Sequence, residues 1–440
     1  MQPHANAGST IVPRDLTDPA QQARVLAVAD ELVADVDRLD ELRETLSDPE
    51  QLAATDPILV EGAACAASAV SIRAIATPVH LSIVWAMYQE TDRIRLPSEH
   101  PHGEDFLREK IRQIEWLADH NSLLTWNLVA VDDGCPSVPS SGDVAEALVG
   151  DAGLAERVCV LRLQDAIDRG LRVTRGFDRL VTTDDSRKGG SIAYGMWAAI
   201  NGRAGVLPVG AEHVVIYTDA DLSANVAQAG SLVIQVLDGA SAAVGQRYGM
   251  PGAVLVKEDG PMAEPHSTGS KPDKMIILFR HFVRAMLVPQ SDAVLDTQAG
   301  FKAFRADVLA DALPHLDAFT ETFDLELLLH AASAGDTKIA PVAVVFTEDF
   351  AATNFPSVEP SQRHLDMVTQ IAEIHDRLVG PRGVCLEGQL LRRLVGGLDL
   401  ARYQRIIAAL ESCDRHRTGA DPMFDQRWTT DEIIRFAESG

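Results

Sequence analysis

Aromatic residues are scarce in this chain, at 5% of 440 positions, and no apolar run approaches the roughly 20 residues that a bilayer-crossing helix needs. Residues 1–13 lack the basic-then-apolar order of a secretion signal. The expectation is a cytoplasmic protein that at most rests on a membrane surface. Basic residues are the minority charge, 39 Lys and Arg against 64 Asp and Glu, for a net charge of −25. That argues against nucleic acid as a partner, since phosphate neutralisation needs a clustered basic face. The five cysteines, Cys65, Cys135, Cys159, Cys385 and Cys413, form no CxxC pair and no zinc spacing, so they read as reduced core or surface thiols. What remains is an ordinary globular composition, 46% hydrophobic and 23% charged, long enough for two or three domains or one large domain with helical additions.

Helical signals come first. Thr17-Asp18-Pro19-Ala20 supplies a capping residue and a proline for a first turn, and Val25, Val28, Leu32, Val36 and Leu39 follow at helical spacing. This predicts one long helix ending before Asp48-Pro49. Residues 58–75 predict a second, alanine-rich helix. No strand signal precedes them, so residues 1–77 are expected to form a helical extension with packing or homodimer-forming duties.

From residue 79 the pattern alternates. VHLSIVWAMY, WNLVAVDDG, RVCVLRL and VVIYT read as strands, separated by helices over 102–120, 143–149 and 190–200. Such alternation predicts an α/β fold with a mostly parallel sheet. SLVIQVLDG then reads as helix and SAAVGQRY as strand and turn. Residues 251–273, rich in Gly, Pro and charge, read as a surface loop or lid. Helices are expected over 274–287, 307–313 and FDLELLLHAASA, and KIAPVAVVFTEDF reads as one last strand. Residues 361–440 read only as helix: 363–378, 385–395, 401–413, and a last helix capped by Thr429 with Glu432 three residues on.

Three strands end in acidic residues: Tyr88-Gln89-Glu90, Asp132-Asp133 and Asp219-Ala220-Asp221. An Asp-x-Asp at the carboxyl end of a parallel strand places two hard oxygen ligands at the crevice where α/β sheets bind ligands. Such ligands suit Mg²⁺ or Mn²⁺, ions that complete their shells with water and substrate phosphates. A divalent ion also reverses the local sign, so the acidic balance does not oppose a nucleotide diphosphate. Arg187-Lys188-Gly189-Gly190 opens a helix, where two cations, backbone N–H groups and the helix dipole favour phosphate.

VHLSIVWAMYQETDRI, VAVDDG, DDSRKGGSIAYGMWAA, VVIYTDADLSAN, AAVGQRY, LDTQAGFKAFR and FDLELL occur in that order over residues 79–354. Together they resemble the GT-A-fold nucleotide-sugar glycosyltransferases of family 2, especially the dolichyl-phosphate glucose and mannose synthases. The resemblance implies a Rossmann-like GT-A domain over 78–360, between a helical extension at 1–77 and a helical region at 361–440. It implies hexose transfer from a UDP- or GDP-linked sugar, with inversion, to a phosphate or hydroxyl acceptor: a polyprenyl phosphate or a small soluble molecule.

The resemblance also assigns roles. Tyr88 and Glu90 would hold base and ribose, as would Asp132 and Asp133, with Gly134 supplying a positive φ. Arg187, Lys188, Gly189 and Arg247 would meet the diphosphate. Asp219 and Asp221 would share the metal with it, and Ser223 stands where some relatives carry another ligand. Gln298, Gly300 and Lys302 would lie near the donor sugar, with Ala299 where cysteine is common. Asp324, then Glu326, is the candidate acceptor-side base; two residues apart on a helix, they cannot share a face.

Met87 and Gln89 depart from the usual proline and Tyr-Asn-Glu, and membrane anchors carried by some lipid-phosphate enzymes have no counterpart. Other readings stay open. A retaining GT-A enzyme acting on a small acid such as glycerate would share the donor half, with His364 or His266 as a late metal ligand. A sugar-phosphate nucleotidyltransferase would show a Gly-rich loop after the first strand, which does not follow Val84. A non-catalytic sugar-nucleotide-binding or scaffold protein would not need Asp219 and Asp221.

Overall fold

The structure, a computed structural model, describes residues 13–186, 188–257, 260–262, 274–287, 294–333, 338–348, 360–382, 386–412 and 428–438. Arg187, His266, Cys385, Cys413 and most of the expected lid lie outside them. Four helices come first: α1 (Pro19–Ala34), α2 (Val36–Leu46), α3 (Pro49–Ala53) and α4 (Pro57–Ile72). The expected single long helix is broken at Asp35, whose φ of −135° leaves the helical region. Its carboxylate accepts the Arg38 N–H, so one residue ends α1 and caps α2.

The sheet region begins with β1 (Val79–Met87), α5 (Phe106–Asp119), β2 (Leu124–Asp132), α6 (Ser141–Asp151), β3 (Val158–Arg162), α7 (Leu163–Asp168), α8 (Gly189–Ile200) and β4 (Glu212–Tyr217). It continues through α9 (Ala229–Leu237), β5 (Ala242–Gln246), β6 (Val254–Lys257), β7 (Gly260–Met262), α10 (Lys274–Leu287), β8 (Lys302–Arg305), α11 (Ala306–Ala312), α12 (Phe323–Ala332), β9 (Ile339–Ala343) and β10 (Val345–Thr347). The last helices are α13 (Pro360–Ile374), α14 (Leu386–Val395), α15 (Leu400–Ser412) and α16 (Thr430–Glu438). Thr429 and Glu432 cap α16 reciprocally, as their spacing predicts. A π-helical turn, His375–Val379, continues α13.

Seven strands form one sheet in the order β3-β2-β1-β4-β8-β5-β9. All pairs are parallel except those of β8, which runs antiparallel between β4 and β5. The expected α/β architecture with a mostly parallel sheet is therefore present. Burial explains the strand composition. Leu81, Ile83, Trp85 and Met87 of β1 point into one apolar layer, Val84 and Ala86 into the other, and every β1 residue is buried. Each fully buried Val or Ile contributes about 1.5–3 kcal/mol.

Two expectations need correction. Residues 251–273 include the β6–β7 hairpin, and KIAPVAVVFTEDF is two strands, not one. β9 closes the main sheet beside β5, whereas β10 pairs with β6 in a second, three-stranded sheet. The chain changes sheets at Val344, whose carbonyl receives the Val254 N–H while its own N–H reaches Gln246.

The helices before β1 cover one sheet face: Val25, Leu32, Ala66 and Ile72 belong to the same apolar layer as Ile83 and Val214. Glu61 of α4 is buried and binds Arg14 at 2.8 Å and the Asn225 amide at 2.8 Å, tying α4 to the loop after β4. The C-terminal helices form a separate cluster with α10, built on Phe282, Val368, Leu391, Tyr403 and Ile406. Among the described residues no helix is long and apolar enough to cross a membrane.

His80 and His213 face each other across β1 and β4, rings 5.4 Å apart, with His213 Nε2 2.9 Å from Ser82 Oγ. Burial lowers both, His213 to about 4 from an ordinary 6.5, and His80 lowers it further. The unfolded chain therefore takes up these protons first as pH falls, and stability present above about 6.5 is lost towards 4. His213→Gln should lose less stability than the wild type between pH 7 and 5 in urea melts; parallel pH profiles would refute this.

Candidate functional site

The carboxyl ends of β2, β1 and β4 lie side by side, with Asp132 level with Met87 and the Thr218 N–H donating to the Val84 carbonyl at 2.9 Å. The acidic strand ends thus share one sheet edge, next to the place where the strand order turns from β2-β1 to β4, the position at which open α/β sheets bind ligands.

Asp219 and Asp221 stand in the loop after β4, their side chains 26% and 18% exposed. The Lys188 ammonium forms an ion pair with Asp219 Oδ1. Burial alone would raise the Asp219 pKa, but Lys188, with Arg247 and Lys110, holds it below the usual carboxylate range. Burial likewise opposes the Lys188 charge, and Asp219, Asp221 and Asp324 outweigh it, leaving the ammonium above its ordinary value. The Ser223 hydroxyl and N–H both donate to Asp221 Oδ1, so Ser223 fixes a carboxylate orientation.

A buried hub that the sequence did not announce lies beneath. Arg93 reaches Glu90 at 3.2 Å, Glu104 at 3.3 Å and Asp221 at 3.6 Å. Glu104 accepts the Leu222 N–H, and fully buried Lys110 donates to the Asp221 carbonyl at 2.7 Å. Burial pushes Glu90 up to about 7 despite Arg93, with Asp221 and Asp219 adding to the rise. Burial pulls Lys110 down to about 8 against the same carboxylates. Lys110 was detectable in principle: it interrupts the apolar stripe of α5 between Leu107 and Ile114.

Asp132 and Asp133 turn inward. Asp132 accepts N–H bonds from Gly134, Cys135 and Gly142 at 2.8–2.9 Å, and Gly134 takes the expected positive φ of 81°. Asp133 accepts the Lys188 N–H at 2.8 Å and the Ser191 hydroxyl at 2.6 Å; burial raises it to about 6. The two carboxylates order the turn, and a base or ribose would have to use the acceptor capacity these bonds leave. Tyr88, 37% exposed, is the open group of the β1 end.

At the start of α8 the expected cradle of N–H groups is largely committed inside the protein. Lys188 N–H serves Asp133, Gly190 N–H the Phe319 carbonyl and Ser191 N–H the Ser186 hydroxyl. The Lys188 ammonium is the cationic group this turn places at the crevice, beside Asp219. Arg247 is held by Asp296 at 2.6 and 3.1 Å, and Arg280 binds the same carboxylate.

The QAGFK block closes the other wall. Gly300 lies so near Asp219 that a Cβ there would collide with the carboxylate, which explains the glycine. Fully buried Lys302 donates to Tyr217 Oη at 2.7 Å, the Ala299 carbonyl at 2.5 Å and Asp324 at 3.1 Å. Gln298 donates to the other Asp324 oxygen at 3.0 Å. Glu326 has separate partners, the Asp317 and Ala318 N–H groups and Arg377 at 2.8 Å, so the two carboxylates do not meet. His364 lies on α13.

The donor set fits a hard divalent ion: two carboxylates, partly exposed, against a glycine backbone. Among the described residues no group of three or more His, Cys, Asp or Glu is arranged to hold a metal ion by itself. An ion held by Asp219 and Asp221 would keep places in its shell for phosphate oxygens.

No family model matches the chain, and no curated protein matches it. Among solved structures it is similar to mannosyl-3-phosphoglycerate synthase from Rubrobacter xylanophilus, at 12% identity over 72% of this chain and 78% of that one, with a TM-score of 0.40. It is also similar to Mycobacterium tuberculosis glucosyl-3-phosphoglycerate synthase, at 16% identity over 71% and 84%, with a TM-score of 0.41. The same synthase in complex with Mn²⁺ and UDP-glucose matches at 15% over 71% and 83%, with a TM-score of 0.41. Likeness at that level carries no function of its own.

Lys302→Met would leave the Asp324 carboxylate and the Tyr217 hydroxyl buried without their cation. A loss of about 3 kcal/mol in chemical denaturation is expected, and a variant as stable as the wild type would show that Lys302 does not hold this wall.

Proposed function

We propose that the chain is a metal-dependent glycosyltransferase that moves a hexose from a nucleotide diphosphate sugar to an acceptor. The observation that carries this reading is the convergence of Asp219, Asp221, Lys188 and the Gly300 backbone on one crevice at the carboxyl ends of β1 and β4. Asp219 and Asp221 would hold Mg²⁺ or Mn²⁺, which supplies Lewis-acid stabilisation of the departing diphosphate. Lys188 would bind that diphosphate and, with Arg187, stabilise its developing charge. Tyr88 offers a face for the nucleobase, and Glu90, two residues on, a buried group that titrates near neutrality.

The acceptor side favours a nucleophile that needs no strong base. Both Asp324 oxygens are engaged, by Gln298 on one side and by Lys302 and Tyr217 on the other. A phosphate acceptor, with a second pKa near 6, is already ionised at neutral pH. Polyprenyl phosphate, the acceptor implied by the likeness of motifs to dolichyl-phosphate sugar synthases, is one such group, and inversion by direct displacement would follow. The same engagement of Asp324 supports a second reading, retaining transfer to a small acid such as glycerate. A hydroxyl acceptor in an inverting reaction would require Asp324 to leave Lys302 and take the proton.

Calorimetry with UDP, GDP and their sugars should show nucleotide binding that Mn²⁺ tightens about 10-fold; no binding of any nucleotide overturns the enzyme reading. Asp221→Ala should remove the metal dependence while leaving the melting curve in place. Anomeric NMR of the product separates inversion from retention.

A further inference from the structure

We propose that Lys188 is a resident stand-in for the divalent cation: its ammonium neutralises Asp219 until a metal ion replaces it, and the freed ammonium passes to the diphosphate, so that metal and nucleotide bind as a coupled pair. This rests on the donor-site reading above and adds the order in which its charges are exchanged.

Lys188 has a fixed pivot and a movable arm. Its backbone sits at φ 83° and ψ −42°, a strained conformation for a residue with a side chain. The Asp133 carboxylate holds it there through the N–H at 2.8 Å, and Ser191 holds Asp133 in turn. The side chain beyond is 40% exposed and its ammonium meets Asp219.

The other cations of the site are built differently. Lys110 is fully buried and donates to a backbone carbonyl. The Arg93 side chain is 9% exposed and shared among Glu90, Glu104 and Asp221. Arg247 is clamped through two nitrogens by Asp296. Among these four, Lys188 can swing without dismantling a buried network.

Its departure alone would leave Asp219 beside Asp221, Glu90 and the Asp324 wall with less cationic compensation. A divalent ion can take its place. An ion arriving without phosphate, however, would face an ammonium that has lost its carboxylate and gained no anion. A diphosphate arriving without the ion would compete with Asp219 for the same ammonium. Each ligand thus removes the obstacle to the other, and by linkage the coupling must be reciprocal.

Mn²⁺ binding, followed by the loss of the free-ion electron paramagnetic resonance signal, tests this without any turnover. Wild-type protein should bind Mn²⁺ about 10-fold more tightly with UDP present than without it. Lys188→Met, which keeps the stem and removes the charge, should bind Mn²⁺ alone about 10-fold more tightly than the wild type, with the UDP effect reduced to within about 2-fold. Lys188→Arg should restore part of the coupling; should the methionine variant not fold, Lys188→Gln carries the same expectation. Unchanged affinity of the neutral variant for Mn²⁺ alone overturns the proposal and leaves the donor reading standing. A wild type that binds neither UDP nor GDP, beside a neutral variant that gains Mn²⁺ affinity, overturns the donor reading instead.

Discussion

Glu90, Glu104, Asp219 and Asp221 crowd one end of one sheet, and Arg93, Lys110 and Lys188 are what allow so much negative charge to be held there. Each ion loses hydration on entering this edge, a penalty of several kcal/mol per charge that only close opposite charges and hydrogen bonds offset. The compensation is uneven, and the unevenness is chemically useful. Glu90 remains near neutrality in its titration because burial beats Arg93, whereas Asp219 remains ionised because Lys188 beats burial. Two carboxylates of one site are thereby given opposite tendencies without any difference in residue class.

How much of this was legible varied with the kind of signal. Strands buried on both faces betray themselves as apolar runs, so β1, β2 and β4 and the acidic residues that end them could be read directly. The roles of Asp132 and Asp133 could not, because their partners are N–H groups of their own turn and of Lys188, and a backbone path leaves no mark in composition. Arg93 lay within a recognisable block, beside Glu90 in sequence, but nothing near it pointed to Glu104 across the following loop or to Asp221 in the loop after β4. The β6–β7 hairpin was hidden by the Gly and Pro around it, and the division of β9 from β10 by an unbroken apolar run that serves two sheets in succession. Asp35, a capping residue inside a helical pattern, was a visible cue to the break it makes.

The antiparallel strand β8 gives the site its second wall. Inserted between β4 and β5, it carries Lys302 beneath Tyr217, and the segment leading into it brings Gly300 against Asp219. Asp324 is drawn into this wall by Lys302 and Gln298, so this side of the crevice is already charge-paired. The side that carries Lys188, by contrast, has a long side chain on a backbone held by Asp133.

The bond from Glu61 to Asn225 spans 164 residues. Until β4 and α9 exist to receive them, the apolar faces of the helices before β1 stay uncovered and Glu61 has only the Arg14 partner of its own segment. Contacts so distant in sequence close their loops late and slow the search for the native state. The loop that bears Asp219 and Asp221 thus depends, for one of its anchors, on helices that precede the whole sheet in the chain, so the acidic site and the helical layer beneath it are parts of one long-range closure.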